Sequence, residues 1–523
     1  MIYAMAAVAM MAVGCQKDRN ADGMLLLAEG FNNNGSKVLV DGLTSTWADG
    51  DEVRINDQTA AVSVTTGNAS VHLGSGVDAP FYGVYPAGIY NSNSGASYTL
   101  NLPATYTYET DGTYQKLASP MVGYTDNSTS MTFKHLTAAV TVQVVNYHYD
   151  YAIVVDSIVV ASNNYMLCGE MTVTIGDDIA VAPVTTADAS LKSVKMKMGT
   201  GLNVAAGDST AVQVPVLPVG DGNKFTVTVW AHRADQPGVA VELTRTQNTG
   251  GSLLRANLGY ARYTLGGPFS VSASKKVVFS KGNLQYQAST GTWRFAEHQY
   301  DYIGNAVGNN TDEPDRHTQE EWIDLYGWGT GDRPTTISQN TEDYGSEAYV
   351  EWGTSAAGNV GSGWRVTSNS ENTYLFNTRT TRTYGLYGTD NTTARFVKAR
   401  VNGVNGIIVF PDEFIVPIGA SVTSTTTYNG KYATYTQLTV SLANWQKWEV
   451  AGAVFLPASG ARNGKSVINY GDYGYYYSST NSSAVLAYRV YFYSGGFNPN
   501  AASTYPAQDK SFGHSVRLVR DVE

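Results

Sequence analysis

The feature that most constrains this chain is its period-two patterning. From Ser36 to about residue 265, short runs alternate apolar and polar residues, and turn signals interrupt them every 8–15 residues. Examples are KVLVDGL (37–43), EVRIND (52–57), SVHLG (70–74), SYTLNLPA (97–104), AAVTVQVV (138–145) and KFTVTVWA (224–231). Side chains of a strand point alternately to its two faces, so such runs read as half-buried strands. No helical period intervenes, which predicts antiparallel sheets packed as sandwiches. The stretch is long enough for two of them, and we place their boundary near residue 150. Composition agrees: 53 Gly supply the turns and 36 Tyr supply β-compatible bulk. Charged residues make up only 15% of the chain, against about 25% in an average soluble protein.

A net charge of −10 argues against a nucleic-acid partner, which calls for a basic footprint. There are two cysteines, Cys15 and Cys168. Cys168, in YMLCGE, reads as a small buried apolar residue. Residues 1–14, MIYAMAAVAMMAVG, carry no charge and are too short for a permanent membrane span, which needs about 20 residues. They read as a secretory signal. The run ends in Ala12-Val13-Gly14-Cys15 and resembles a bacterial lipobox, which implies lipidation at Cys15 and attachment to the outer membrane. Gln16-Lys17-Asp18 resembles the short charged signal that sends Bacteroides-type lipoproteins to the cell surface. Residues 15–29 read as a linker.

The phrases TSTWADGDEVRIND (44–57), FYGVYPAGIY (81–90), LNLPATYTYETDG (100–112), PMVGYTDNSTSMTFKHLTAAVTVQV (120–144) and VQVPVLPVGDGNKFTVTV (212–229) resemble fimbrillin-like proteins of Bacteroides-type bacteria. The resemblance implies two transthyretin-like β-sandwiches, at 30–150 and 151–265. It also implies other fimbrial subunits as partners, joined by β-strand donation.

Gly266-Gly267-Pro268 is the clearest punctuation in the chain, and seven of nine Trp lie beyond it. Within 268–523, KKVVFSKGNLQYQ (275–287) reads as strand, turn, strand. SNSENTYLFNTR (368–379) is the best helix candidate, with Ser368 or Ser370 as cap, and Asn444 to Val450 is a second. GIIVFPDEF (406–414), AGAVFLPASGARNG (451–464), YYYSST (475–480), AYRVYFYSGG (487–496) and SVRLVR (515–520) read as strand segments. Together with VVFSKGNLQYQ, WRFAEHQYDYIG, IDLYGWGTG and GWRVTSNSENTYLFNTR, these phrases resemble the C-type-lectin-like variable proteins of diversity-generating retroelements. The resemblance implies an α+β ligand-binding domain whose adenine-derived codons are diversified. It places variable, ligand-contacting positions at Ile468, Asn469, Tyr470, Asp472, Tyr473, Tyr475, Arg489, Tyr491, Tyr493, Gly496, Phe497 and His514.

The residues themselves say something similar. Nine Tyr fall between 470 and 505. Along 489–493 the alternation puts Val490 and Phe492 in the core and displays Arg489, Tyr491 and Tyr493. Tyr and Arg are favoured contact residues. Tyr476 and Tyr477, beside Ser478-Ser479, are expected to pack the sheet instead. No catalytic constellation, no cofactor motif and no metal-ligand spacing is present. Phe497-Asn498-Pro499-Asn500 has a Pro turn but no acid beside it, unlike a calcium-dependent sugar site. The sequence therefore predicts a non-enzymatic, lipid-anchored adhesin or pilus-tip protein that binds an unidentified protein or glycan. A structural fimbrial subunit without a ligand site is the alternative.

Overall fold

The computed structural model describes residues 23–29, 47–108, 120–127, 129–306, 308–309, 320–338, 348–386, 388–422, 428–501 and 509–522. Cys15, the signal segment and the run at 37–43 lie outside the described residues. The architecture is mainly β, with three short α-helices among the described residues. It divides into three regions along the chain.

In the first region, seven strands close into a barrel. Met24–Ala28 lies in it parallel to Ser130–His135 and antiparallel to Asn68–Val71. The alternation read from sequence is what fills it: Val53, Ile55, Val62, Val71 and Phe133 are all buried inside. Gly83 and Gly123 face each other across two paired strands. A Cβ at either would press on the Met131 side chain, so only glycine lets that residue fill the interior.

The second region is a sandwich. One sheet runs Ser209–Val216, Ala138–Asn146, Leu258–Leu265, and the other is built on Ile153–Ser162, Ser193–Val204 and Phe225–Arg233. Val140, Val142 and Val144 from the first sheet share a core with Ile158, Val160 and Val229 from the second. Ala138–Asn146, which precedes the expected boundary near residue 150, is the middle strand of the first of these sheets. That strand pairs on both sides with second-region strands, so it cannot belong to the first. The two regions also exchange edges. Ser97–Leu102 pairs with Gly169–Thr174, and Thr105–Thr107 pairs with Ser193–Val204. A periodicity reading sees strands but not such long-range pairings. Cys168 is buried, its thiol near the Ser190, Leu191 and Ser193 carbonyls.

The C-terminal region begins and ends on one sheet, where Lys276–Phe279 pairs antiparallel with Val519–Val522. The last strand starts later than the expected 515–520, at Val519; Ser515 makes only an isolated bridge with Tyr476. Both expected helices form. Asn369–Thr373 opens with a capping box in which the Ser368 hydroxyl accepts from the Glu371 amide and the Glu371 carboxylate accepts from the Ser368 amide. Leu442–Val450 is capped by Ser441 and buries Trp445 and Trp448. A third helix, Trp352–Val360, has no clear sequence signal: Gly353 and Gly358 interrupt it, and tertiary packing of Trp352 and Ala356 sustains it. No helix among the described residues is long and apolar enough to cross a membrane.

The junction between the second and third regions is packed. One continuous core joins Val229 and Leu243 to Phe410, Phe414 and Trp448. The Ile418 amide donates to the Glu242 carbonyl at 2.9 Å, and His148 Nε2 meets the Val450 carbonyl at 2.9 Å.

Candidate ligand-binding face

The face rests on a three-stranded meander, Gly474–Asn481, Ala487–Tyr493 and Gly496–Ala501. Register decides what each side chain does. Tyr475 opposes Tyr491, Tyr476 opposes Val490, Tyr477 opposes Arg489 and Gly474 opposes Phe492. One face therefore carries Tyr476, Val490 and Phe492, all buried in the C-terminal core. Gly474 lies on that face because a Cβ there would intrude on the Phe492 ring. The other face carries Tyr475, Tyr477, Arg489, Tyr491 and Tyr493, with Tyr473 just before the first strand.

On that second face the rings form one continuous layer. Tyr473 stacks on Tyr493 with centroids 5.0 Å apart and on Tyr475 at 6.0 Å. Tyr475 stacks on Tyr491 at 5.2 Å, and Tyr491 lies 5.5 Å from Tyr493. These separations are those of favourable aromatic pairs. Tyr473, Tyr491 and Tyr493 are half-buried, while Tyr475 is buried behind them. Burial and the neighbouring Tyr475 hydroxyl push the Tyr491 phenol well above its ordinary range.

The turn at 468–473 extends this layer. Ile468 is half-buried, and Asn469, Tyr470 and Asp472 are exposed. The turn's main chain is pinned from outside. The Gly471 amide donates to the Ala458 carbonyl (2.7 Å), and the Gly460 amide donates to the Tyr473 carbonyl (2.8 Å). Tyr435 Oη donates to the Asp472 carbonyl (2.7 Å), and Asn405 Nδ2 donates to the Gly471 carbonyl (2.8 Å). None of these anchors uses a side chain of the turn itself. Sequence reading missed Asn405 and Tyr435, which lie far away in the chain and carry no local signal. Asn469 takes a left-handed conformation at φ 58°, one that Asn tolerates well, and its amide donates to Tyr475 Oη at 3.4 Å.

Four expected contact residues are buried. Arg489 lies on the expected side of its strand but is only 2% exposed. The returning segment Asp509–His514 closes over that end of the sheet: Tyr477 Oη donates to the Phe512 carbonyl at 2.8 Å, and Leu486 pairs with Asp509. Burial pushes the Arg489 guanidinium down to about 10, and it sits over the Tyr475 and Tyr491 rings at 5.2 and 5.5 Å. His514 is fully buried, stacked on Tyr475 at 5.2 Å. Phe497 opposes Phe492, which puts it on the core face, stacked on Phe396 at 4.1 Å. Gly496 is buried beneath the Tyr493 ring, which fills the space of any side chain there. Tyr476 and Tyr477 pack the interior, as read from sequence.

Chemically this face offers ring edges, phenol hydroxyls and a short polar rim. Among the described residues no group of three His, Cys, Asp or Glu side chains could hold a metal ion.

Fold and face together define a mainly β protein that presents a pre-packed aromatic surface from its last region. No protein-family profile and no curated protein matches the chain. Several solved structures do at low similarity. A candidate cell adhesion protein from Bacteroides ovatus shares 11% identity at a TM-score of 0.29, covering 46% of this chain and 92% of its own. One from Bacteroides fragilis shares 14% at 0.26, covering 55% and 100%. A fimbrial protein from Bacteroides ovatus shares 11% at 0.22, covering 96% and 99%. At these TM-scores the likeness carries no argument about this chain.

Proposed function

We propose that this protein is a surface-displayed adhesin or pilus-tip protein that binds its ligand through the aromatic layer of Tyr473, Tyr491 and Tyr493 and the rim of Ile468, Asn469, Tyr470 and Asp472. The observation that carries this reading is a half-exposed tyrosine layer beside a turn whose main chain is pinned from outside. Tyr delivers large contact area at low entropic cost, and a fixed main chain lets those side chains change without refolding the site. Lipid attachment through Cys15, a lectin-like frame and codon diversification belong to this proposal, supported by the sequence resemblances given above. An adenine-rich near-copy of the codons for 466–514 beside a reverse-transcriptase gene tests the diversification; its absence removes that element alone.

The direct test is the triple variant Tyr473→Ala, Tyr491→Ala, Tyr493→Ala in the full chain. It is expected to abolish adhesion of cells displaying the protein while the melting temperature stays within a few degrees. Unchanged adhesion rejects the face.

A structural role as a fimbrial subunit is the second reading, and one feature favours it. Met24–Ala28 fills a slot between two strands of the first barrel. Another chain's strand can complete such a slot by β-augmentation.

A further inference from the structure

A cleft of about 1190 Å³ runs along one edge of the second sandwich, facing the C-terminal region. It shares no residue with the tyrosine face or with the Met24–Ala28 slot of the first barrel. Six consecutive residues of the Leu258–Leu265 strand, Gly259 to Thr264, line it. Side chains of a strand alternate between its two faces, so six in a row border one cleft only along the strand's edge.

That edge is open. The strand is the last in its sheet and pairs only with Ala138–Asn146. The Ala139 amide donates to the Asn257 carbonyl at 3.1 Å, and the Tyr147 amide to the Leu265 carbonyl at 2.7 Å. These two bonds bracket the ladder and commit its odd-numbered residues to that neighbour. The N–H and C=O groups of Tyr260, Arg262 and Thr264 therefore point the other way, and among the described residues no main-chain partner meets them. Native sheets usually cover or blunt such an edge.

The sandwich interior is uncovered along the same edge. Val140, Val142 and Val144 stand in register with Gly259, Ala261 and Tyr263, so all six face the core. The valines and Tyr263 are buried, but Gly259 and Ala261 are only half-buried. Phe225, Val227 and Leu253 extend this apolar floor into the cleft. The rest of the lining is cationic. Arg245, Arg262, Lys276 and Arg382 stand against two acids, Asp412 and Glu413. Both acids are engaged: Glu413 pairs with Arg245 at 3.5 Å, and Asp412 pairs with Lys276 at 3.9 Å and with the buried Arg379 at 3.1 Å. Arg262, on the outward face of the open strand, donates only to Tyr147 Oη at 3.1 Å.

We propose that this edge is a docking site for an extended strand of a partner protein, one in which apolar residues alternate with acidic ones. Its main chain pairs with Tyr260, Arg262 and Thr264 as an added strand of the sheet. Its apolar side chains cover Gly259 and Ala261 and continue the core. Its acidic side chains fall on the opposite face, beside Arg262. An acidic glycan matches the charge alone, because it carries no amides at the two-residue repeat of the open edge.

The test is calorimetric titration of the full chain with three decapeptides, built from Val-Glu, Val-Lys and Ser-Glu repeats. The Val-Glu peptide is expected to bind at least tenfold more tightly than either of the others. Binding is expected to slow hydrogen exchange across Leu258–Leu265. Arg262→Gln removes the charge and is expected to weaken binding several-fold. Arg262→Pro also removes an outward N–H, at an edge position where Pro is tolerated, and is expected to weaken it at least tenfold. The exchange measurement on the native chain keeps the test decisive if Arg262→Pro fails to fold. The triple tyrosine variant is expected to bind the Val-Glu peptide as the native chain does, which separates this edge from the adhesive face. No binding of the Val-Glu peptide overturns the proposal, as does equal binding of the Ser-Glu or Val-Lys peptide. Unchanged exchange across Leu258–Leu265 in the complex also overturns it. Self-association of the native chain that Arg262→Pro abolishes would put a second copy on this edge and overturn the acidic partner.

Discussion

Tyr491 and Phe492 are neighbours with opposite fates, and Gly474 shows how tightly that is set. It opposes Phe492, and any Cβ there would meet the ring. Gly474→Ala is therefore expected to destabilise the protein by about 1–3 kcal/mol, the range for overpacking a core, measured by chemical denaturation. Alternation along 489–493 was readable from the sequence and correctly placed Val490 and Phe492 inside. The burial of Arg489 and His514 was not, because the segment that covers them, Asp509–His514, arrives from beyond the strand. A two-residue period says which way a side chain points, not what lies in front of it. The burial of Phe497 was hidden for a related reason. The tight turn after Tyr493 pairs Phe492 with Phe497, and that register, invisible in the residue pattern, turned the ring into the core.

Among the elements, the helix at Asn369–Thr373 was legible because its signal is local. Ser-x-x-Glu at 368–371 is a capping box in sequence and in structure. Ser368→Ala is expected to cost about 1 kcal/mol, read as a lower denaturation midpoint with an unchanged slope. Glu371 also holds Arg365 through two hydrogen bonds, at 2.7 and 2.8 Å. Glu371→Gln is therefore expected to cost more than Ser368→Ala. Strand order had no such local signal. The barrel depends on Met24–Ala28 meeting residues some forty and a hundred positions later in the chain, and the sequence alone assigned Met24–Ala28 to a linker.

For the whole molecule, the last two regions share one core across a packed junction. His148 sits at that junction, stacked on Tyr151 at 4.2 Å and bonded to the Val450 carbonyl. Burial lowers its pKa to about 4, against an unfolded value near 6.5. The unfolded chain therefore binds the proton first. Its contribution is fully present above about pH 6.5 and is lost as pH falls toward 4, amounting to about 3 kcal/mol. His135, lowered to about 4 mainly by burial, acts in the same direction from the first barrel. Thermal midpoints are expected to drop between pH 7 and pH 4.5, and His148→Asn is expected to reduce that drop; an equal drop in the variant contradicts the assignment.

The outward tyrosines, beside a turn whose main chain is pinned by other residues, are the proposed contact. The measurement that tests it most directly is a glycan and surface-protein array probed with the purified native chain and with the Tyr473→Ala, Tyr491→Ala, Tyr493→Ala variant at matched thermal stability. Array signals are expected with the native chain and are expected to vanish with the variant. The same signals from both proteins would contradict it.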